Sequence, residues 1–141
     1  MTVPSAYRGQ FVADSVATAS PARLLTMLYD RLVLDLVRAE QAYAAGQDQE
    51  GTAQLVHAQD ILVELRCSLD VDRWSGGPGL ASLYSYLLTQ LIEMSASHDV
   101  DGVARVRGMV EDLRDAWRHA ALLAETGPDG APPRALAAVS P

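Results

Sequence analysis

Three histidines are the side chains of this 141-residue sequence that could most readily carry chemistry. His57, His98 and His119 stand on different segments, and none belongs to a Glu-x-x-His pair of the kind that di-metal helical bundles use. His57 with Asp60 and Asp115 with His119 are single pairs, which solvated helix faces commonly carry. We therefore expect no metal, no cofactor and no catalytic residue.

A histidine phosphotransfer module would need an exposed histidine with cations nearby to neutralise the phosphate. The neighbours of His57 on its predicted helix face are Ala53, Asp60 and Glu64, so the local charge has the wrong sign. Acid-labile phosphate on His57 would be the signature of this class of protein.

Two other candidates for chemistry also favour structural roles. Cys67 is predicted to lie mid-helix near Val63 and Leu65, with no histidine built around it to activate the thiol. The stretch Gly76–Gly79 lacks the following Lys-Ser or Lys-Thr and the preceding strand of a phosphate loop. We interpret this stretch as a connector.

The composition narrows the possible partners. The net charge is −7, and all eleven basic residues are arginines scattered singly, which disfavours nucleic-acid binding. No apolar run approaches the roughly 20 residues that a membrane span requires. A single cysteine and the lack of a secretory signal predict a cytoplasmic protein without disulfides.

Helical periodicity dominates the sequence and predicts four helices. Ser20 is a good N-cap and Pro21 suits the first helical position, so the first helix should run from Pro21 to about Ala45 and end at Gly46. The second predicted helix covers 49–69, with Asp48 as its cap. A break at 70–79, which holds an exposed Trp74, separates it from the third helix at 80–97. The fourth helix is predicted to start at Asp99 or Asp101 and to end at about Ala124.

Similar helix lengths and short connections predict an all-α protein, an antiparallel up-down-up-down four-helix bundle. The predicted bundle covers 21–124, between an N-terminal arm at 1–20 and a disordered tail at 125–141. We expect the arm to be flexible, because its apolar residues are sparse for a helix. Alternatively, the arm docks one short turn onto an apolar groove of the bundle. Its apolar residues are Tyr7, Phe11, Val12 and Val16.

Two of the predicted helices carry more apolar surface than one buried stripe requires. On the first, Leu24, Met27 and Leu34 fall outside the core stripe. On the second, the residues away from the core stripe are Val56, Gln59, Val63 and Cys67. These seven residues either pack inside the bundle or bind a partner, and a weak homodimer is one such partner.

Several motifs in this order resemble the flagellar secretion chaperone family, FliS. They extend from Tyr7 to about Ala121 and comprise Thr18-Ala19-Ser20-Pro21 with Met27-Leu28-Tyr29-Asp30, His57 to Leu65, Gly76-Gly77 with Leu83 to Leu87, and Leu113 to Arg118. The family usually has acidic residues after the Ser-Pro pair, where this chain has Ala22 and Arg23.

The resemblance implies a cytoplasmic, non-enzymatic chaperone. Such a protein binds the C-terminal segment of newly made flagellin, prevents its premature polymerisation and presents it to the flagellar type III export apparatus. The client segment would wrap the outside of the bundle, where the seven surplus residues become the client-binding candidates and the arm a competitor. The export gate and other flagellar regulators are further implied partners. The rival interpretation is a four-helix adaptor or signalling module that binds a folded partner.

Overall fold

The computed structural model describes residues 20–126, all of whose regular structure is helical. The four helices are α1 (Pro21–Ala44), α2 (Asp48–Ser68), α3 (Gly77–Ser97) and α4 (Val100–Thr126). Within residues 20–126, this confirms the predicted all-α class and the number of helices. The predicted arm residues Tyr7, Phe11, Val12 and Val16 and the tail at 127–141 lie outside the described residues.

Contacts between helices show that neighbours run antiparallel. Along α1 and α2, Asp35 pairs with His57, and the Tyr43 hydroxyl lies 2.9 Å from the Thr52 hydroxyl, so one residue number rises as the other falls. Thr52 in turn donates to the Ser95 carbonyl of α3 at 3.4 Å. Each helix packs on the next, and α1 also packs on α4, which closes the ring as an up-down-up-down bundle.

The core fills the inside of this ring. Leucines supply most of its fully buried side chains, and Tyr29 and Tyr84 meet inside it with their hydroxyl oxygens 2.6 Å apart. The periodic stripes predicted the core well, and its buried members are Tyr29, Leu32, Val33, Leu36, Ala39, Tyr43, Leu55, Ala58, Ile61, Leu62, Leu65, Leu80, Tyr84, Leu87, Leu91, Met94, Val103, Val106, Val110 and Leu113.

The helix ends follow the capping signals with one exception. The Ser20 hydroxyl accepts from the Arg23 N–H at 3.2 Å, Pro21 occupies the first turn, and Gly46 has φ +73° just after α1. Asp99 accepts from the Gly102 N–H at 3.1 Å at the start of α4. The exception is Asp48, which is the first residue of α2 and not its cap.

The break between α2 and α3 is shorter than predicted. Gly77 to Gly79 form the first turn of α3, because Pro78 is tolerated there without a backbone donor. Trp74 is also not exposed as predicted: it is half-buried and packs against the core. At the far end, α4 extends two residues beyond the predicted boundary at Ala124.

Ion pairs connect α1 to α4 on the outside of the bundle. Arg107 donates to both Glu40 on α1 and Glu111 on α4, and these hydrogen bonds raise the pKa of the Arg107 guanidinium. Further along, Arg118 Nη2 donates to Asp30 Oδ1 at 2.6 Å. These polar contacts join α1 and α4 along one flank of the bundle.

Candidate functional site

An open apolar groove lies at one end of the bundle, and we call it the end groove. Leucines are the most frequent residue in its lining, two tryptophans also line it, and its volume is about 410 Å³. Its lining residues are Pro21, Leu24, Leu25, Leu28, Leu65, Ser68, Leu69, Asp70, Arg73, Trp74, Leu80, Tyr84 and Trp117. A groove of this composition can hold large apolar side chains from a partner segment.

The α2–α3 connection supplies one wall of the end groove through Trp74. Its indole lies so close to Gly76 that a Cβ there would overlap the ring. A Cβ on Gly77 would overlap the Val71 carbonyl in the same way. The two glycines therefore allow the connection to fold tightly and hold Trp74 beside α3. Sequence reasoning missed this wall, and the Gly-Gly pair beside the tryptophan was the available signal.

On α4, Trp117 reaches the end groove from the opposite side. Its ring centroid lies 6.5 Å from that of Tyr29, with the planes tilted by 40°. Burial raises the pKa of the Tyr29 hydroxyl, and hydrogen bonding by Tyr84 and Trp117 partly offsets this effect. The side chains beneath the groove surface are thus neutral, buried aromatic groups.

A second groove, which we call the side groove, lies between the start of α1 and the last turns of α4. Its volume is about 670 Å³, and it lies on the flank of α1 that faces α4. Its lining residues are Ser20, Ala22, Arg23, Thr26, Met27, Asp30, Arg118, Ala121, Leu122 and Ala124. The Thr26 hydroxyl donates to the Ala22 carbonyl at 3.0 Å, so the helix itself satisfies this polar group.

A third surface is the outer face of α2. Val56 and Val63 are each 48% exposed, and Cys67 is exposed one turn beyond Val63. Gln59 lies beside them and is half-buried. The spacings of three, four and seven residues place all four side chains along one strip of the helix. We call this strip the α2 face.

The seven residues predicted to bind a client do not form one surface. Leu24 lines the end groove and Met27 lines the side groove, so these two residues of one α1 face contribute to different grooves. Leu34 is 38% exposed further along α1. The remaining four form the α2 face. The helical wheel identified the surplus residues, but only packing against different neighbours placed six of them on three surfaces and left Leu34 outside all three.

The hydrogen-bond partner of His57 differs from the one expected from the sequence. Its expected partners were acidic residues on its own helix, but its Nδ1 hydrogen-bonds Oδ2 of Asp35 on α1. Asp35 is fully buried, and its other oxygen accepts from Arg31 Nε at 3.1 Å. The wheel gave no signal for this cluster, because Asp35 falls among apolar residues and its partners come from two helices.

Asp30 is half-exposed and accepts the hydrogen bond from Arg118 described above. This places it in the α1–α4 interface at the rim of the side groove. No cluster of three or more His, Cys, Asp or Glu that could hold a metal ion occurs among residues 20–126. None of the helices in this part of the chain is long and apolar enough to cross a membrane.

The matches to known proteins cover nearly all of the described bundle. The family model described as "Flagellar protein FliS" matches residues 4–124. The chain belongs to the FliS family. Flagellar secretion chaperone FliS of Bacillus subtilis strain 168 is 31% identical over 107 residues, which are 76% of this chain and 80% of that protein.

Two further FliS relatives agree with this assignment. Flagellar secretion chaperone FliS of Escherichia coli K12 is 32% identical over 119 residues, covering 83% of this chain and 88% of its own length. Flagellar secretion chaperone FliSB of Pseudomonas aeruginosa PAO1 is 27% identical over 112 residues, covering 79% and 89%. FliS is a family of secretion chaperones and not of enzymes, which confirms the prediction of a non-enzymatic helical bundle.

Proposed function

We propose that this FliS-family protein binds the C-terminal segment of flagellin in the cytoplasm, prevents its premature polymerisation and delivers it to the flagellar type III export apparatus. The observation that carries this proposal is the end groove, an open apolar surface with two tryptophans in its lining. Membership of a flagellar chaperone family supplies the flagellar context. The export gate and other flagellar regulators are proposed as further partners.

A disordered client loses chain entropy when it binds, so its affinity must come from many apolar contacts along a long path. Three apolar surfaces on one small bundle suit this requirement better than a single deep pocket would. We propose that Leu24 in the end groove and Met27 in the side groove are the anchors on α1, with Leu34 beyond them. The α2 face would extend the client path, through Val56, Gln59, Val63 and Cys67.

The N-terminal arm is proposed as a competitor for this surface. It joins the bundle at Ser20 and Pro21, and Pro21 lines the end groove. Removing residues 1–15 should therefore raise the association rate of the client, because fewer binding-competent molecules would be blocked. An unchanged rate would contradict this part of the proposal.

The test is a calorimetric titration with the C-terminal segment of flagellin from the same organism. We expect one-to-one binding with a large negative heat-capacity change, which reports apolar burial coupled to ordering. The chain contains two tryptophans, and both line the end groove, so its intrinsic emission should shift on binding. A bundle that is folded but binds no flagellin segment would contradict the proposed function and favour an adaptor for a folded partner.

A pair of variants locates the binding surface. Leu24→Glu places a charge in the end groove and should weaken binding by tenfold or more, because the carboxylate would have to be desolvated beneath the client. Ile92→Glu is the control, since Ile92 is 52% exposed on α3 and lines neither groove. An equal loss of affinity in both variants would place the client away from the end groove. Binding without a change in tryptophan emission would do the same.

A further inference from the structure

The side groove carries a positive rim on a protein whose net charge is −7. Arg23 and Arg118 line it, and Asp30 is the one acidic residue among the lining residues that the structure describes. Asp30 Oδ1 already accepts from Arg118 at 2.6 Å and lies 3.9 Å from Arg114 Nε. One carboxylate thus faces two arginines of α4, and it leaves no oxygen near enough for Arg23 to form an ion pair.

Unlike Arg118, Arg23 has no ion-pair partner in the part of the chain that the structure describes. Its side chain is exposed, and it makes no ion pair with any residue in the range 20–124. It also lies in the first turn of α1, which contains no acidic residue. A cation at this end of a helix opposes the helix dipole, and an anionic group held beside it would remove the unfavourable interaction.

The apolar part of the side groove adds a second requirement for its occupant. Met27 and Ala121 line it from the two helices, so the occupant must present apolar side chains as well as a negative charge. Leu24 in the end groove and Met27 in the side groove are three residues apart on α1. A client segment that crosses this helix, whose diameter is roughly 10–12 Å, can reach both grooves at once.

We propose that the side groove binds an acidic, amphipathic stretch of the client segment, and that Arg23 and Arg118 select for its carboxylates. This inference rests on the proposed function, because it names the chemistry of the client that the function requires. Arg23 is then a specificity-determining residue. Its guanidinium forms a charge-assisted hydrogen bond with the client that nothing in residues 20–124 supplies.

Arg23→Glu tests this proposal because binding and stability should change in opposite directions. Arg23 is the third residue of α1, and its N–H is already bonded to the Ser20 hydroxyl. Glutamate at this position would complete a capping box with Ser20 and suit the helix dipole, so the melting temperature should rise. The affinity for the flagellin C-terminal segment should nevertheless fall about tenfold, the factor that corresponds to 1.4 kcal/mol.

Arg38→Glu is the matched control for the change in net charge. Arg38 is also exposed on α1, forms no ion pair with residues 20–124, and lines neither groove. We expect its affinity to stay within twofold of the wild type at low salt. The difference between the two variants should shrink in 0.5 M NaCl, because added salt screens exposed charges over about one Debye length.

The outcomes separate this inference from the function on which it rests. If the wild type binds the flagellin segment and Arg23→Glu binds equally well, the inference is overturned and the function stands. If the wild type does not bind, both fail. A fall in the melting temperature of free Arg23→Glu would mean that a segment of this chain occupies the side groove. A change in the sedimentation of this variant would mean that a second copy of the protein occupies it. Either result overturns the inference.

A charge swap identifies the client residue. Each acidic residue of the flagellin segment is replaced by lysine in turn and titrated against Arg23→Glu. Restored affinity for one replacement supports a direct contact between that residue and position 23. Failure of every replacement to restore binding would contradict a direct contact.

Discussion

The hydroxyl oxygens of Tyr29 and Tyr84 lie 2.6 Å apart and join α1 to α3 across the core. Both side chains are almost completely buried, at 0% and 2% exposure. Burial raises the pKa of each hydroxyl, and for Tyr84 the neighbouring Tyr29 raises it further. The pair thus satisfies two polar groups that the core would otherwise leave without partners.

This pair should make the bundle sensitive to alkali. The pKa values of the two tyrosines in the folded protein are raised above the unfolded value of about 10. The protonated pair therefore stabilises the folded bundle fully below pH 10, and this stabilisation is lost as the pH rises further. The free energy of unfolding should fall by about 1.4 kcal/mol per pH unit for each tyrosine. The measurement is urea unfolding between pH 8 and about pH 11.

The double variant Tyr29→Phe with Tyr84→Phe should flatten this dependence, because it removes both titrating groups. At pH 7 its stability should fall by about 1 kcal/mol or less, since both partners of the hydroxyl–hydroxyl bond are replaced together and only Trp117 loses an acceptor. Tyr86→Phe is the control, because Tyr86 is 47% exposed. An equally steep loss of stability in the double variant would show that other groups cause it.

His57 should contribute to stability through the buried Asp35. In His57→Ala the Asp35 carboxylate keeps only Arg31 as a side-chain partner, and an under-satisfied buried carboxylate costs roughly 1–3 kcal/mol. His119→Ala is the control, since His119 is exposed on α4, and it should change stability by less than about 0.5 kcal/mol. Equal urea midpoints for the two variants would contradict a structural role for the cluster.

Two glycine-to-alanine changes should have opposite effects. Gly77→Ala puts a Cβ against the Val71 carbonyl, and the backbone must shift, so we expect a loss of about 1–3 kcal/mol. Gly108 lies within α4 with nothing within 4 Å of an added Cβ, so Gly108→Ala should stabilise the helix by about 0.5–1 kcal/mol. Thermal unfolding followed by circular dichroism measures both, and a change of the same sign would contradict the prediction.

Val63→Asp tests whether the α2 face belongs to the client path. Because Val63 is 48% exposed, the change should leave the melting temperature nearly unchanged while lowering affinity for the flagellin segment by tenfold or more. Tyr86→Asp on α3 is the control, with a side chain that is 47% exposed. Unchanged affinity in Val63→Asp would exclude this residue from the binding surface.

The amino-acid sequence by itself determined the parts of the structure that depend on near neighbours. Apolar spacing predicted four helices and most of the core, because residues three and four apart share a helix face wherever that helix packs. Ser20, Pro21 and Asp99 predicted helix starts because capping is a local hydrogen bond. The motifs carried the resemblance to FliS, and the comparisons confirmed it.

Tertiary structure decided everything that depends on two helices meeting. The partner of His57 is 22 positions away in the sequence, and that of Tyr29 is 55 away, so no local pattern reports either contact. The same holds for the grooves: Trp74 forms a groove wall only because the Gly76–Gly77 connection brings it back against α3. Periodicity identifies which side chains leave the helix on a given face, and only the packing of neighbouring helices determines whether that face becomes core, interface or groove.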